Sequence, residues 1–441
     1  MVHKGPYDAS DAIALDIDSL KVGQEAHKVH DLDEICDKPD CPCGGSDPDA
    51  WLQFSDSESS GEWPAYNTRK KAPPPPVKPS TPNATTGTGR KRRNRPKPET
   101  RRLKAAEIAE KLDKLAHDNA KRNNRLLKEV FIHPLRFEDI SLKTLVEQKK
   151  AGRSRTWPKN SAPAVYWGAN STHMAVDKDD LPLALHFPGY LGKTGNMFKY
   201  RLLCNFAKAV GVSVGKGADA NKHDSIEGYP YLDKQSYISG VIQLVASWTA
   251  IGHSNDEPTP SRDVLKSAHA FKLSMECLRE LAFTSRAIDD MLSKIDPAAY
   301  TTLHEARKRL QKANPAYAAL TSLDPTYLHG RSIILNRATR GHLDIRDPAE
   351  ILTPILVVGK FVKGGELRVE KLGLTMSYLP GTLIFIRGSV LPHEVAVFSG
   401  GKRISIAHFV HKALLVQVGI SDIPMSPYTK SPQYVTPPAV N

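Results

Sequence analysis

A chain of 441 residues is long enough for two or three domains, but 33 prolines and a hydrophobic share of only 40% dilute its core-forming part. Five scattered cysteines exclude a disulfide framework, and with no N-terminal apolar segment and no run of 18 apolar residues neither a secretory signal nor a membrane span is expected. The net charge of +13 is split: residues 1–65 hold 15 Asp/Glu and 4 Lys/Arg, so the remaining 376 carry 57 Lys/Arg against 33 Asp/Glu, a body suited to a polyanion such as nucleic acid.

Residues 1–98 are predicted to be disordered. An acidic Ser/Asp-rich part is followed by the proline-rich spacer "KKAPPPPVKPSTPNATTGTG" and the basic cluster Arg90–Lys97. That cluster reads as a nuclear-import signal or a nucleic-acid contact, so a nuclear location is expected. Cys36, Cys41 and Cys43 present thiols to zinc, but Cys-x4-Cys-x-Cys has no fourth ligand, and a loop is the expectation. Residues 99–155 form a basic helical segment, with Leu103, Ile108, Leu112, Leu115 and Leu126 at helical spacing and Lys/Arg elsewhere.

The folded core, 156–412, is expected to open with two strands in Ala162–Leu191, closed by Pro188-Gly189. One or two helices follow over Ser261–Ile295, with Ser261 as the cap, and another runs from Tyr300 to about Ala313. From Arg331 the period changes. "RSIILN", "PILVVGKFV", "ELRVEKLG", "LTMSYL", "TLIFIRG", "HEVAVF" and "RISIAHFV" are short runs separated by Gly and Pro turns, the pattern of an antiparallel barrel or jelly roll. Residues 413–441 read as a flexible tail.

Within this part, His342-Leu343-Asp344 presents an imidazole and a carboxylate on one side of a strand, because residues two apart share a face. Adding His393 makes the two-histidine, one-carboxylate set that suits non-haem Fe(II) and leaves coordination positions open. Arg403 supplies a permanently charged fork for a desolvated carboxylate, and Ser405, on the same face, adds a hydroxyl. "HEVAVFSGGKRISIAHF" is read as a hairpin. A two-residue Gly400-Gly401 turn would pair Phe398 with Arg403 and put His393 and Arg403 on opposite faces. A longer, odd-length loop would pair Val397 with Arg403 and keep them together, so the odd-length loop is predicted.

The order His-x-Asp, Gly-Gly-Glu-Leu, Pro-Gly, His, Arg resembles that of 2-oxoglutarate/Fe(II) dioxygenases. Between about Ala162 and His411 the chain is similar to the TET/JBP-like oxygenases of basidiomycete fungi, through "APAVYW…DLPLALHFPGYL", "ILNRATRGHLDIRD", "VVGKFVKGGELRVEKLGLTMSYLPGTLIFIRGSVLPHEV" and "GGKRISIAHF". The resemblance implies an α+β fold with a double-stranded β-helix (jelly-roll) core and packed helices. It implies oxidation of 5-methylcytosine in DNA, with N6-methyladenine as a further substrate of some relatives, by a monomer that takes the base flipped into its pocket. It assigns Fe(II) to His342, Asp344 and His393, and 2-oxoglutarate to Arg403 with Ser405 and Asn336. Arg337 and Arg346 are the candidates for substrate contact. Relatives often carry His-Arg-Asp, so Leu343 puts in doubt any contact made by that arginine. Two other readings fit the residues: a catalytically silent DNA-binding protein of mobile elements, and the same chemistry on RNA, protein or a small molecule.

Overall fold

The computed structural model describes residues 98–152, 164–212, 239–249 and 256–434. The basic cluster and the three N-terminal cysteines lie outside the described residues. A 35-residue helix, α1 (Pro98–Ile132), leads into β1 (Leu135–Phe137) and α2 (Leu142–Lys150). Then come β2 (Val165–Trp167), β3 (His173–Asp177), β4 (Pro182–Phe187), α3 (Gly192–Val210) and β5 (Gly240–Val245). The helical middle comprises α4 (Arg262–Leu265), α5 (Ala268–Ile295), α6 (Pro297–Ala313) and α7 (Pro315–Thr321). Ten strands follow: β6 (Gly330–Leu335), β7 (Thr339–His342), β8 (Thr353–Gly359), β9 (Lys363–Gly364), β10 (Leu367–Val369), β11 (Leu374–Met376), β12 (Leu383–Ile386), β13 (His393–Val395), β14 (Phe398–Ser399) and β15 (Arg403–Phe409). A last helix, α8 (Lys412–Gln417), precedes the C-terminal segment.

Eight strands form a major sheet in the order β1-β3-β4-β12-β8-β15-β6-β5, and five a minor sheet in the order β2-β11-β10-β13-β7. From β6 to β15 the chain passes repeatedly between the two, with β6, β8, β12 and β15 in the major sheet and β7, β10, β11 and β13 in the minor one. That alternation is the double-stranded β-helix. The sequence shows which strands are central. Every residue of β8 ("TPILVVG") and β12 ("LIFI") is buried, because the major sheet is covered on both faces. β10 ("LRV") and β13 ("HEV") alternate instead, because the minor sheet turns one face to water.

Two apolar clusters follow from this layering. Between the sheets lie Ile355, Val357, Leu367, Val369, Met376, Tyr378, Ile384 and Ile386. Behind the major sheet, Leu356, Val358, Phe385, Ile404 and Ile406 meet the helices through Leu278, Leu281, Ile288 and Leu292 of α5. α1 docks on α5 with Leu127, Val130 and Phe131 buried. Asn123 fastens the joint, its amide donating to the Ala287 carbonyl and to Asp290.

Four expectations are corrected. Folding begins before residue 156: β1 pairs with β3, and Leu142, Leu145 and Val146 of α2 enter the core. Ser261 stands at the N-cap of the short helix α4 but makes no side-chain cap bond, its hydroxyl donating to the Gln243 carbonyl instead, and the long helix is capped by Ser267, which accepts from the Ala270 N–H. The segment after 412 is not a free tail as far as the structure describes it. Leu414, Leu415, Ile423 and Tyr428 are buried in the helix-side core, and the Ser426 N–H donates to Asp296. Finally, "HEVAVFSGGKRISIAHF" is not a hairpin. β13 belongs to the minor sheet and pairs with β7 and β10, whereas β15 belongs to the major sheet and pairs with β6 and β8. The predicted Val397–Arg403 pairing does not occur; Arg403 stands opposite Gly359. Between them, Phe398 and Ser399 form β14 and pair with β9, so the Gly400-Gly401 turn carries the chain from that ribbon across to the other sheet. Both glycines have positive φ, 75° and 140°.

Candidate metal centre and cosubstrate pocket

His342 ends β7 and His393 begins β13, and the two are direct antiparallel partners. Opposed residues in an antiparallel pair project to the same face, which brings the ring centroids within 4.4 Å. Asp344 follows on the loop after β7, where its N–H donates to the Gly388 carbonyl at 2.9 Å. One carboxylate oxygen lies 3.5 Å from His342 Nε2 and the other 3.6 Å from His393 Nε2. One ligand atom from each of the three lies within 4.8 Å of the others.

The tautomers are fixed by what lies behind the rings. His342 Nδ1 bonds to the Arg340 carbonyl at 2.8 Å, and His393 Nδ1 to the Leu391 carbonyl at 3.1 Å. A carbonyl only accepts, so each Nδ1 carries a proton, and Nε2 is the atom each ring presents toward Asp344 and to a metal. Two such imidazoles and one carboxylate fit Fe(II), and carbonyl partners behind them orient the set. Leu343 is half-buried between the ligands and takes no part in the cluster.

Across the barrel, Arg403 opens β15 and is fully buried, with the guanidinium in the space between the sheets. Its Nη1 donates to Ser405 Oγ at 2.7 Å, leaving that hydroxyl's own proton for another acceptor. Tyr378, Phe361 and Phe398 wall the group, with ring centroids 5.1, 5.8 and 5.9 Å from its central carbon. Burial pushes the Tyr378 phenol up, against the pull of the Arg403 charge, so it stays an O–H donor. That buried hydroxyl has no hydrogen-bond partner among the described residues. A permanent cation, a serine hydroxyl and an unsatisfied phenol in a dry chamber fit the distal carboxylate of 2-oxoglutarate.

Asn336 sits at the end of β6 with φ 51°. Its side-chain oxygen accepts from the Arg403 N–H, and its own N–H donates to the Arg403 carbonyl, both at 2.8 Å. It therefore clamps the backbone of Arg403. Arg337 is buried and offers its carbonyl to Arg403 Nη1 at 3.5 Å. Arg346 is exposed beside the metal centre, and its carbonyl accepts from the Lys412 N–H at 2.9 Å. His408 lies on the helix side of the sheet with Nδ1 donating to the Pro354 carbonyl; it is structural. Trp167 is core, stacked on His173, while Tyr166 is exposed.

Three contributors escape the sequence reading. Gly388 touches the cluster: a Cβ there would stand 2.7 Å from Asp344 Oδ2 and 3.1 Å from His393 Cε1. Tyr378 continues the inward alternation of Leu374 and Met376, a signal visible in "LTMSYL". Lys149, in the last turn of α2, donates to the Asp347 carbonyl at 2.7 Å and to the Ser389 hydroxyl. It ties together the loops that follow Asp344 and Gly388, and no local pattern announces it.

No family model matches the sequence, and comparison with curated proteins gives no match. Among solved structures the chain is similar to NgTET1 in complex with 5mC DNA, at 14% identity over 62% of this chain and 92% of that one, with a TM-score of 0.38. An oxidoreductase of the 2OG-Fe(II) oxygenase family from Burkholderia pseudomallei matches at 12% identity over 63% and 94% of the two chains, TM-score 0.29. A prolyl hydroxylase from Trichoplax adhaerens, in complex with a hypoxia inducible factor peptide, matches at 13% over 53% and 86%, TM-score 0.27.

Proposed function

We propose that this chain is a 2-oxoglutarate- and Fe(II)-dependent dioxygenase that oxidises the methyl group of 5-methylcytosine in DNA, with N6-methyladenine as a possible second substrate. The observation that carries the reading is a pair of differently built groups on the strands of one double-stranded β-helix. In one, three side chains converge as an imidazole and carboxylate set suited to a metal; in the other, buried Arg403 is walled by aromatic rings. His342, Asp344 and His393 would hold the metal. Arg403, Ser405 and Tyr378 would hold the distal carboxylate of the cosubstrate, orient it toward the metal and keep water from its side of the chamber. Bound Fe(II), 2-oxoglutarate and dioxygen together supply an oxidant able to hydroxylate a methyl C–H bond. DNA is favoured by the basic balance of residues 66–441, by exposed Arg340 and Arg346, each two residues from a metal ligand, with exposed Lys412 bonded through its N–H to the Arg346 carbonyl, and by the motif resemblance. Import into the nucleus through Arg90–Lys97 belongs to the same proposal.

The test is nucleoside mass spectrometry and succinate release after incubation of methylated DNA with the protein, Fe(II) and 2-oxoglutarate. His342→Ala and Asp344→Ala should each lower turnover by about 100-fold or more. Wild-type turnover in both variants would overturn the proposal.

A further inference from the structure

Ile345 is 68% exposed, the most exposed of the large hydrophobic residues in the described part of the chain. It directly follows the metal ligand Asp344. The Asp347 N–H donates to the Asp344 carbonyl at 3.0 Å, which closes a β-turn with Ile345 and Arg346 at its tip. The turn is tied down on both sides, by the Asp344 N–H to Gly388 and by the Lys412 N–H to the Arg346 carbonyl. An apolar side chain is thus held rigidly in water, one residue from the reacting centre. Three basic residues belong to the same stretch of backbone: Arg346 beside it on the turn, Lys412, whose N–H bonds to that turn, and Arg340, whose carbonyl orients His342. All three are exposed.

An isolated apolar residue on a surface needs no explanation. Here the rigid turn, the adjoining cations and the distance of a single peptide from a metal ligand occur together. For a methyl group to reach the metal from within a duplex, its base must leave the stack, and the vacated space favours an apolar occupant. We propose that Ile345 is the wedge that enters the duplex beside the extruded nucleotide, with Arg340, Arg346 and Lys412 holding the phosphates on either side. This rests on the reading of DNA as the substrate, and it adds that the enzyme opens a duplex by itself. A single strand has no stack to refill, so the wedge matters only for duplex.

The test uses the full chain and a duplex with 2-aminopurine next to 5-methylcytosine, without Fe(II) or 2-oxoglutarate, so that opening is read without turnover. Wild type should raise 2-aminopurine fluorescence. Ile345→Ser should abolish most of the rise, and Ile345→Leu should restore it. In the loaded enzyme, the ratio of duplex to single-strand turnover should fall about tenfold in Ile345→Ser. Arg346→Gln should instead weaken binding to both forms and flatten the salt dependence. No fluorescence rise with wild type, an equal rise with Ile345→Ser, or an unaltered turnover ratio overturns the wedge. A rise that depends on Ile345, with no oxidised base formed under any condition, upholds the wedge and defeats the methylcytosine reading instead.

Discussion

A single methyl group separates Gly388 from any other residue, and there is no room for it. Placed 2.7 Å from an Asp344 oxygen, it would push the carboxylate off the line between the two imidazoles. Gly388→Ala should therefore weaken Mn(II) binding at least about tenfold, measured by titration, while β12 and β13 stay folded by circular dichroism. An unaltered affinity would show that the ligand loop can shift freely. The candidate ligands were legible in the sequence because few side chains can bind Fe(II), although Asp344 lies past the end of β7 and reaches His342 from a loop rather than by strand alternation. Gly388 was not, because its role is an empty volume defined by residues 44 positions upstream and 5 downstream. Asn336 falls between these cases. Its polar character and its place before the metal pair were visible, but its two hydrogen bonds to the Arg403 backbone depend on two strands meeting.

At the scale of elements, alternation tells a strand which residues face inward and says nothing about its neighbour. His393 and Arg403 stand on different sheets rather than on one face of a hairpin, and the short connection between them hid that crossing. The same limit applies to the C-terminal segment. Its Pro/Ser-rich composition suggested a tail, yet Leu414, Leu415, Ile423 and Tyr428 fill the helix side, and Asp296 joins the Ser426 N–H to buried Arg387 on the far side of β12. Fully burying a side chain of this size contributes roughly 1.5–3 kcal/mol. Ending the chain after His411 should therefore remove several kcal/mol, comparable to the stability of an ordinary domain. Urea denaturation is expected to show a collapsed midpoint or no cooperative transition. A midpoint close to that of the full chain would mean the segment packs without contributing.

For the molecule as a whole, the buried histidines set the response to acid. Burial pushes His186 down to about 4, His408 down to about 3, and His329 well below its ordinary value. Unfolded, each takes a proton near pH 6.5. Below that pH the unfolded chain binds more protons than the folded one, so stability is complete above about 6.5 and falls as pH drops toward the folded values. The slope reaches up to about 1.4 kcal/mol per histidine per pH unit. Thermal melts should be level from pH 7 to 8 and decline from 6.5 to 5, before the carboxylates titrate; a flat profile down to 5 would contradict this. The metal centre occupies a mechanically exposed place in the same architecture. Among the described residues, β7 is the outermost strand of the minor sheet, four residues long, with β13 as its strand partner. His342 and His393 straddle the β7–β13 seam, so a divalent cation held between them would act as a clasp on it. Amide hydrogens of residues 339–342 should exchange quickly with solvent deuterium when divalent ions are chelated and slow in proportion to occupancy as the ion is returned. Exchange at this edge then becomes a gauge of metal loading in a protein that has turned over nothing.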